Sequence, residues 1–336
     1  MKSARDTGSN PKVLDWLLEE ENPSVRYFAL RGLLDRPERS AEVRRAKQSI
    51  MTSGTVPKIL DRQNPDGTWD EPAKFYRHKY KGTVWQLIIL ANLGADGADP
   101  RVRKACEFIF RNSQDTESGG FSIDFSVTSG AGSHSWVIPC LTGNMVWSLI
   151  RLGHLGDERL RRAIDHLART QRFDDGEGER PKGWPYERFE MCYGRHACHM
   201  GAGKTLKALA EIPEKERTPA VRETIGRGVE YFLKHRIFKK SHDLRKTSKP
   251  GWRKFGFPLM YQDDALEILG IMAGLRVRDP RLSEAVKLVE SKRTTDGRWT
   301  LESTFNGRFV ADIERKGKPS KWVTLKAMEA LRFYRP

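Results

Sequence analysis

The chain of 336 residues contains only four cysteines, no long unbroken apolar run, and fewer acids than bases. Four thiols over this length cannot staple a disulfide scaffold, and with no export signal they are read as reduced. The longest apolar stretch, Val84 to Leu93, is interrupted by Gln86 and Asn92 and is too short to cross a bilayer. Met1 to Asn10 lacks the apolar core of a signal peptide, so a cytoplasmic location is expected. Disorder is excluded by what is present: 38% hydrophobic residues and nine Trp are ample for a core. The 60 Lys and Arg against 44 Asp and Glu leave a formal charge of +16, which favours anionic partners.

Internal repetition organises the chain. Side chains able to cap a helix stand at Ser40, Asp99, Asp157, Thr218 and Asp279, spaced 59, 58, 61 and 61 residues apart. Pro follows three of them, at the position where its missing N–H costs nothing. The segments opening at these caps are amphipathic, with Val102, Ala105, Cys106 and Ile109 on one stripe. The segments before them, such as Val84–Ala91 and Ala265–Met272, are apolar on nearly every face. A helix apolar all round is buried on both sides, so the alternation predicts two concentric layers. Inner helices are expected near 24–35, 80–93, 138–153, 190–210, 259–275 and 320–334. Outer helices are expected near 11–20, 40–62, 99–112, 157–170, 218–235 and 279–292. The fold class is therefore all-α, a single (α/α)6 toroid over residues 1–336, with 1–54 closing the ring and the repeats filling 55–336. An open solenoid of the same units is the alternative. The long loops 63–79, 113–137, 171–189, 236–257 and 293–319 all lead from an outer helix to the next inner one. They gather at one end, where function is expected.

Gln63-Asn-Pro-Asp-Gly67-Thr-Trp69 matches a Q-x3-G-x-W repeat, and Arg293 to Trp299 matches it except for Arg in the Gln position. Gln114 to Phe121 and Gln171 to Trp184 are looser copies. On these motifs the chain resembles the squalene and oxidosqualene cyclases and related prenyltransferase subunits, from about residue 55 onward. The resemblance implies an α–α toroid that takes an isoprenoid or other long apolar substrate. It also implies a carboxylic acid at the start of an inner helix that protonates an alkene or epoxide. Tyr261-Gln-Asp263-Asp264-Ala265 falls in that place, with Asp263 as the acid and Asp264 beside it; the first Asp of the family's four-residue motif is Tyr261 here. Two adjacent carboxyls beside an apolar helix suit a proton donor, and capping of the helix is the plainer alternative.

A second constellation is Cys192-Tyr193-Gly-Arg-His196-Ala-Cys198-His199. On one continuous helix Cys192, His196 and His199 would share a face, a set able to hold zinc with a coordination place left open. The run resembles motifs of the lanthionine cyclases, which are also zinc toroids. Zinc is thus a possible cofactor, with Cys192 and His196 as alternative catalytic residues in a zinc-dependent transferase or cyclase. Cys140 and His134 could reach the same cavity. Gly201 to Thr205 lacks the first Gly and the preceding strand of a phosphate loop. Aromatics crowd the loop end, and Trp85, Trp136, Trp184, Tyr193, Phe257, Tyr261, Phe305 and Trp322, with Asn306, are expected to line a substrate cavity. Residues 234–254 hold nine Lys or Arg against one acid, Asp243. Such a rim suits an anionic ligand or a peripheral contact with an anionic membrane, and allows a third reading as a non-catalytic binding module. No nucleic-acid-reading motif occurs, so nucleic acid is not an expected partner. A carbohydrate-active barrel would need a second carboxylate facing a groove, and none is evident.

Overall fold

The computed structural model describes residues 11–194, 196 and 198–335. Met1 to Asn10, read above for an export signal, lie outside the described residues, as do Arg195 and Ala197 within the Cys192–His199 motif. The chain begins with α1 (Pro11–Leu17), α2 (Pro23–Gly32), α3 (Ala41–Thr52) and α4 (Thr55–Leu60). There follow α5 (Thr83–Leu93), α6 (Pro100–Asn112), α7 (Pro139–Arg151), α8 (Glu158–Thr170), α9 (Glu190–Tyr193), α10 (His199–Glu211), α11 (Pro219–Lys234), α12 (Ala265–Gly274), α13 (Ser283–Ser291) and α14 (Lys321–Tyr334). Two hairpins interrupt the loops: β1 (Phe125–Ser126) pairs with β2 (Ala131–Gly132), and β3 (Lys239–Lys240) with β4 (Asp243–Thr247). The fold is all-α.

The two helix types separate as their patterns require. Every residue of α5 is buried, whereas α8 buries a stripe that includes Leu160, Ala163, Ile164 and Leu167. The caps work at all five expected positions: Ser40, Asp99, Asp157 and Thr218 accept N–H bonds at helix starts, and Asp279 caps a short 3-10 turn leading into α13. At Asp99, Asp157 and Asp279 the cap also grips the arginine two residues on, Arg101, Arg159 and Arg281. The inner helices pack side by side in the order α5, α7, α10, α12, α14, α2. Phe28 of α2 then returns against Gly94 at the end of α5. Their partners α6, α8, α11 and α13 pack on the outside, and α1 bridges α14 and α2. Lys321 reaches Glu19 at 2.5 Å and Arg332 donates to Gly32 O at 2.9 Å, fastening the C-terminal helix to the N-terminal segment.

The Gln-Gly-Trp segments bind neighbouring units. Gln63 Nε2 donates both to Gly67 O and to Arg101 O in the next outer helix, each at 2.9 Å, while Trp69 Nε1 donates to Ile59 O. Gln114 repeats the pattern on Gly119 O and Arg159 O. At the imperfect copy, Trp299 Nε1 donates to Val289 O and the Arg293 guanidinium lies 5.7 Å from the Trp299 ring centre.

Three expected helices differ. The span 40–62 is two helices, α3 and α4. The inner helix expected from 259 begins at Ala265, because Asp264 caps it, accepting from Glu267 N and from Gly256 N at 2.8 and 2.9 Å. The helix expected over 190–210 is broken into α9 and α10. Arg172 takes the carbonyls of Tyr193 and Gly194, at 3.2 and 2.5 Å, and so removes acceptors that a continuing helix needs.

Candidate active site and the two ends of the ring

The long loops meet the N-terminal ends of the inner helices, and Asp263 sits just before one of them. Its side chain is fully buried, with Lys204 Nζ from α10 at 2.9 Å from Oδ1. Lys204 also holds Glu267 Oε2 at 2.6 Å, and Lys207, one turn on, holds Glu267 Oε1 at 2.8 Å. Burial pushes the Asp263 carboxyl well above the ordinary range and outweighs the pull of Lys204, while nearby Glu267 raises it further. Lys204 is the ion-pair partner of Asp263 Oδ1, and neither Asp263 oxygen accepts a backbone N–H bond. Glu267 is the ionised member: burial raises it, but Lys204, Lys207 and Lys326 together hold it well below the usual carboxylate range. Asp264 is raised to about 6 by burial. The result is a buried acid that holds its proton more tightly than usual, beside a Lys–Glu–Lys chain. Gly203 makes the arrangement possible, because a Cβ there would fall 2.4 Å from Asp263 Oδ2.

Asp263 and Asp264 face a pocket of about 180 Å³ at the loop end, walled by Met200, Trp252, Pro258, Leu259 and Phe305. The remaining loop-end aromatics pack largely on one another. Trp85 is 1% exposed, donates to Tyr76 O at 2.8 Å, and meets the rings of Tyr76, Tyr80 and Tyr261. Phe305 stacks on Tyr80 at 4.1 Å, and Phe257 on Trp322 at 4.2 Å. Half-buried Trp136 lies between Arg77, Arg188 and Phe189. His134 pairs with Asp115 at 2.7 Å and stacks on Trp184 at 4.0 Å, while Asn306 bonds within its own loop to Thr304 and Glu314. Tyr193 is buried, with the Thr170 side chain beside its hydroxyl. Among the expected lining residues, Phe305 borders the pocket at Asp263 and Trp322 borders a different cavity, at the other end.

That other cavity, of about 540 Å³, opens among the C-terminal halves of α2, α5, α7 and α10 and runs along α12 from Leu266 and along α14 from Trp322, with Phe28, Trp147 and Phe333 also in its wall. The larger space lies mainly away from the long loops and reaches Trp322 in the first turn of α14, one of the residues expected to line a cavity. Lys204, Lys207 and Glu267 stand between the two spaces.

The zinc set does not assemble as a single-helix face, because α9 ends before His196. His196 is exposed, with Nδ1 3.1 Å from Asp175 O. His199 bonds Tyr231 Oη at 2.9 Å and is held down to about 3 by burial and by His235. Cys192 is raised to about 12 by burial, which disfavours the thiolate a metal needs. Among the described residues the His, Cys and carboxylate atoms that converge are those of Asp70, Glu71 and His78, at the surface. Cys140 lies at the start of α7, its thiol raised by burial. The basic run is partly neutralised: Lys239 pairs with Glu284, and Lys234 and Lys246 with Asp175 and Asp243. No described helix is long and apolar enough to cross a membrane.

Lys204, Lys207 and Glu267 were not singled out in the sequence. Their signal was there: charged residues inside helices otherwise apolar on every face, two of them three positions apart.

No protein-family model matches the chain, and no curated protein matches it. Solved structures that are similar include the type II terpene cyclase MstE from Scytonema in its apo form, at 15% identity and a TM-score of 0.44, covering 93% of this chain and 87% of that one. A complex of a variant of that enzyme with geranylgeranyl dihydroxybenzoate is similar at 14% identity and a TM-score of 0.42, covering 96% and 99%. A complex with merosterolic acid A is similar at 16% and 0.44, covering 96% and 97%.

Proposed function

We propose that the chain is an acid-initiated isomerase or cyclase of apolar, isoprenoid-type alkenes, with Asp263 as the proton donor. The observation that carries this reading is a buried carboxyl, 2.9 Å from the Lys204 ammonium, at the edge of a pocket walled in part by Trp252, Leu259 and Phe305. In the initiating step the Asp263 O–H bond breaks and a C–H bond forms at one alkene carbon, leaving a carbocation on the other. The carboxylate left behind is met by the Lys204 ammonium, already 2.9 Å away, so the charge develops in a preorganised field. Loss of a proton from the rearranged cation to water, with the Asp263 carboxylate taking a proton back from solvent, then completes an isomerisation or cyclisation. The faces of Trp252 and Phe305 supply the negative π density that a cation needs. A pocket of about 180 Å³ receives the reacting end of a chain rather than the whole of it. Asp264, committed to two backbone N–H groups, positions the start of α12 instead of donating.

The test is incubation of the purified chain with geranylgeraniol, squalene and their terminal epoxides, with products read by mass spectrometry. Turnover is expected with at least one of them, and Asp263→Asn should lower it by about a hundredfold or more, the usual weight of a general acid. Turnover that survives Asp263→Asn removes the assignment. Absence of turnover with every alkene returns the chain to the reading of a non-catalytic binding module.

A further inference from the structure

The cavity at the far end of the ring has no part in that chemistry, yet at about 540 Å³ it is the size of a small-molecule site. Its walls are apolar over most of their extent, with aromatic rings from α2, α7 and α14. Its charged groups fall into two classes. Arg151 pairs with Glu211 at 3.2 Å and Lys207 with Glu267 at 2.8 Å, so these four are mutually satisfied. Lys326 and Glu329, one turn apart on α14, make no hydrogen bond or ion pair among the described residues, although both line the cavity. The Lys326 ammonium has the Phe257 ring at 5.1 Å instead. The Glu329 carboxyl rests on the bare backbone of Gly32, where any Cβ would collide with it. Partly buried charged groups without partners are costly, and a ligand that pairs them recovers that cost.

We propose that this cavity binds a small anionic amphiphile, with its apolar body among Phe28, Trp147, Trp322 and Phe333 and its carboxylate or similar head on Lys326. Arg151 and Lys207 are engaged by Glu211 and Glu267, and Arg332 by Asp35, so the ammonium left for the head is that of Lys326. Glu329, raised by burial to about 7, is partly protonated near neutrality and can then donate to the anion rather than repel it. Gly270 and Gly274 add room on the α12 side of the cavity, beside Leu266 and Ile271, with open space where a Cβ would stand.

The experiment is isothermal titration of the full chain with decanoate, decanol and decyltrimethylammonium, each below its micellar concentration. Decanoate should bind one to one and at least about tenfold tighter than the other two, the scale of one charge-assisted hydrogen bond. Lys326→Met should remove that preference and leave decanol binding unchanged, and Gly270→Phe, which fills the space, should abolish binding of all three while the thermal melt still shows a folded chain. Equal binding of the three heads, a decanoate preference that survives Lys326→Met, or no binding at all overturns the proposal. None of these readouts uses turnover, so they stand apart from the fate of Asp263.

Discussion

The two ends of the ring use the same materials in opposite ways. At the loop end, aromatic residues stack on one another and leave a small pocket against a buried acid. At the other end, four aromatic residues hold open a space about three times larger, and two charged groups there lack partners. The difference follows from chain connectivity. Long loops carry enough extra residues to fold back over the N-terminal ends of the inner helices and fill the middle. Short turns leading from inner to outer helices carry no such material, so the helix C-termini splay around a cavity. Abundance of aromatics marks the filled end, and scarcity of loop marks the open one.

That contrast can be broken most sharply at the layer between the two spaces. Glu267→Gln should cost about 3–5 kcal/mol in urea denaturation, because it leaves Lys207 buried without its counter-ion and Lys204 with Asp263 alone. A loss below about 1 kcal/mol would mean that water reaches the layer from the open end. Trp85→Ala at the filled end should cost about 3–5 kcal/mol, whereas Phe333→Ala at the cavity rim should cost about 1 kcal/mol or less. Similar losses at both sites would erase the distinction between the ends.

Glycine provides a finer comparison. Gly203→Ala should destabilise by about 1–3 kcal/mol and displace Asp263, since the added methyl overlaps the carboxyl. Gly270→Ala, on a neighbouring inner helix but facing the cavity, should instead stabilise by about 0.5–1 kcal/mol through the gain in helix propensity. Opposite signs would sharpen the comparison; the same sign would end it. The smallest effect is a pH slope. Glu329 is raised by burial to about 7, so the folded state holds a proton that the unfolded chain has released above its ordinary value near 4.5. This contribution is fully present below pH 4.5 and declines as pH rises toward 7. Denaturation midpoints measured from pH 5 to 8 should show that decline in the wild type and a shallower one in Glu329→Gln.

Much of the ring was legible. Five capping side chains at near-constant spacing marked where each unit begins, and helices apolar all round could belong only to an inner layer. The break at Tyr193 was not legible, because it depends on Arg172, over 20 residues earlier, taking two carbonyls that a local pattern assigns to the helix. The zinc geometry read from Cys192, His196 and His199 fails at the same break, since it assumed one continuous helix. Asp263 was expected from the resemblance, which puts an acid at the start of an inner helix. Its partner Lys204 was hidden in Gly-Ala-Gly-Lys-Thr, which invites comparison with a phosphate loop and distracts from the oddity of a lysine on a buried helix. The open cavity left no motif, because a space between helix ends is written in turn length rather than in any residue type.

The same device places an acid at each end of the molecule. Asp263 occupies room vacated at Gly203, and Glu329 occupies room vacated at Gly32, each glycine lying on the neighbouring inner helix. The position of each carboxyl is thus specified by two helices, one contributing a functional group and the other contributing nothing beyond its backbone. A change as slight as one methyl group at either glycine would move the acid without altering any group that does chemistry. The residues that most tightly fix what this ring can do therefore include two that carry no side chain at all.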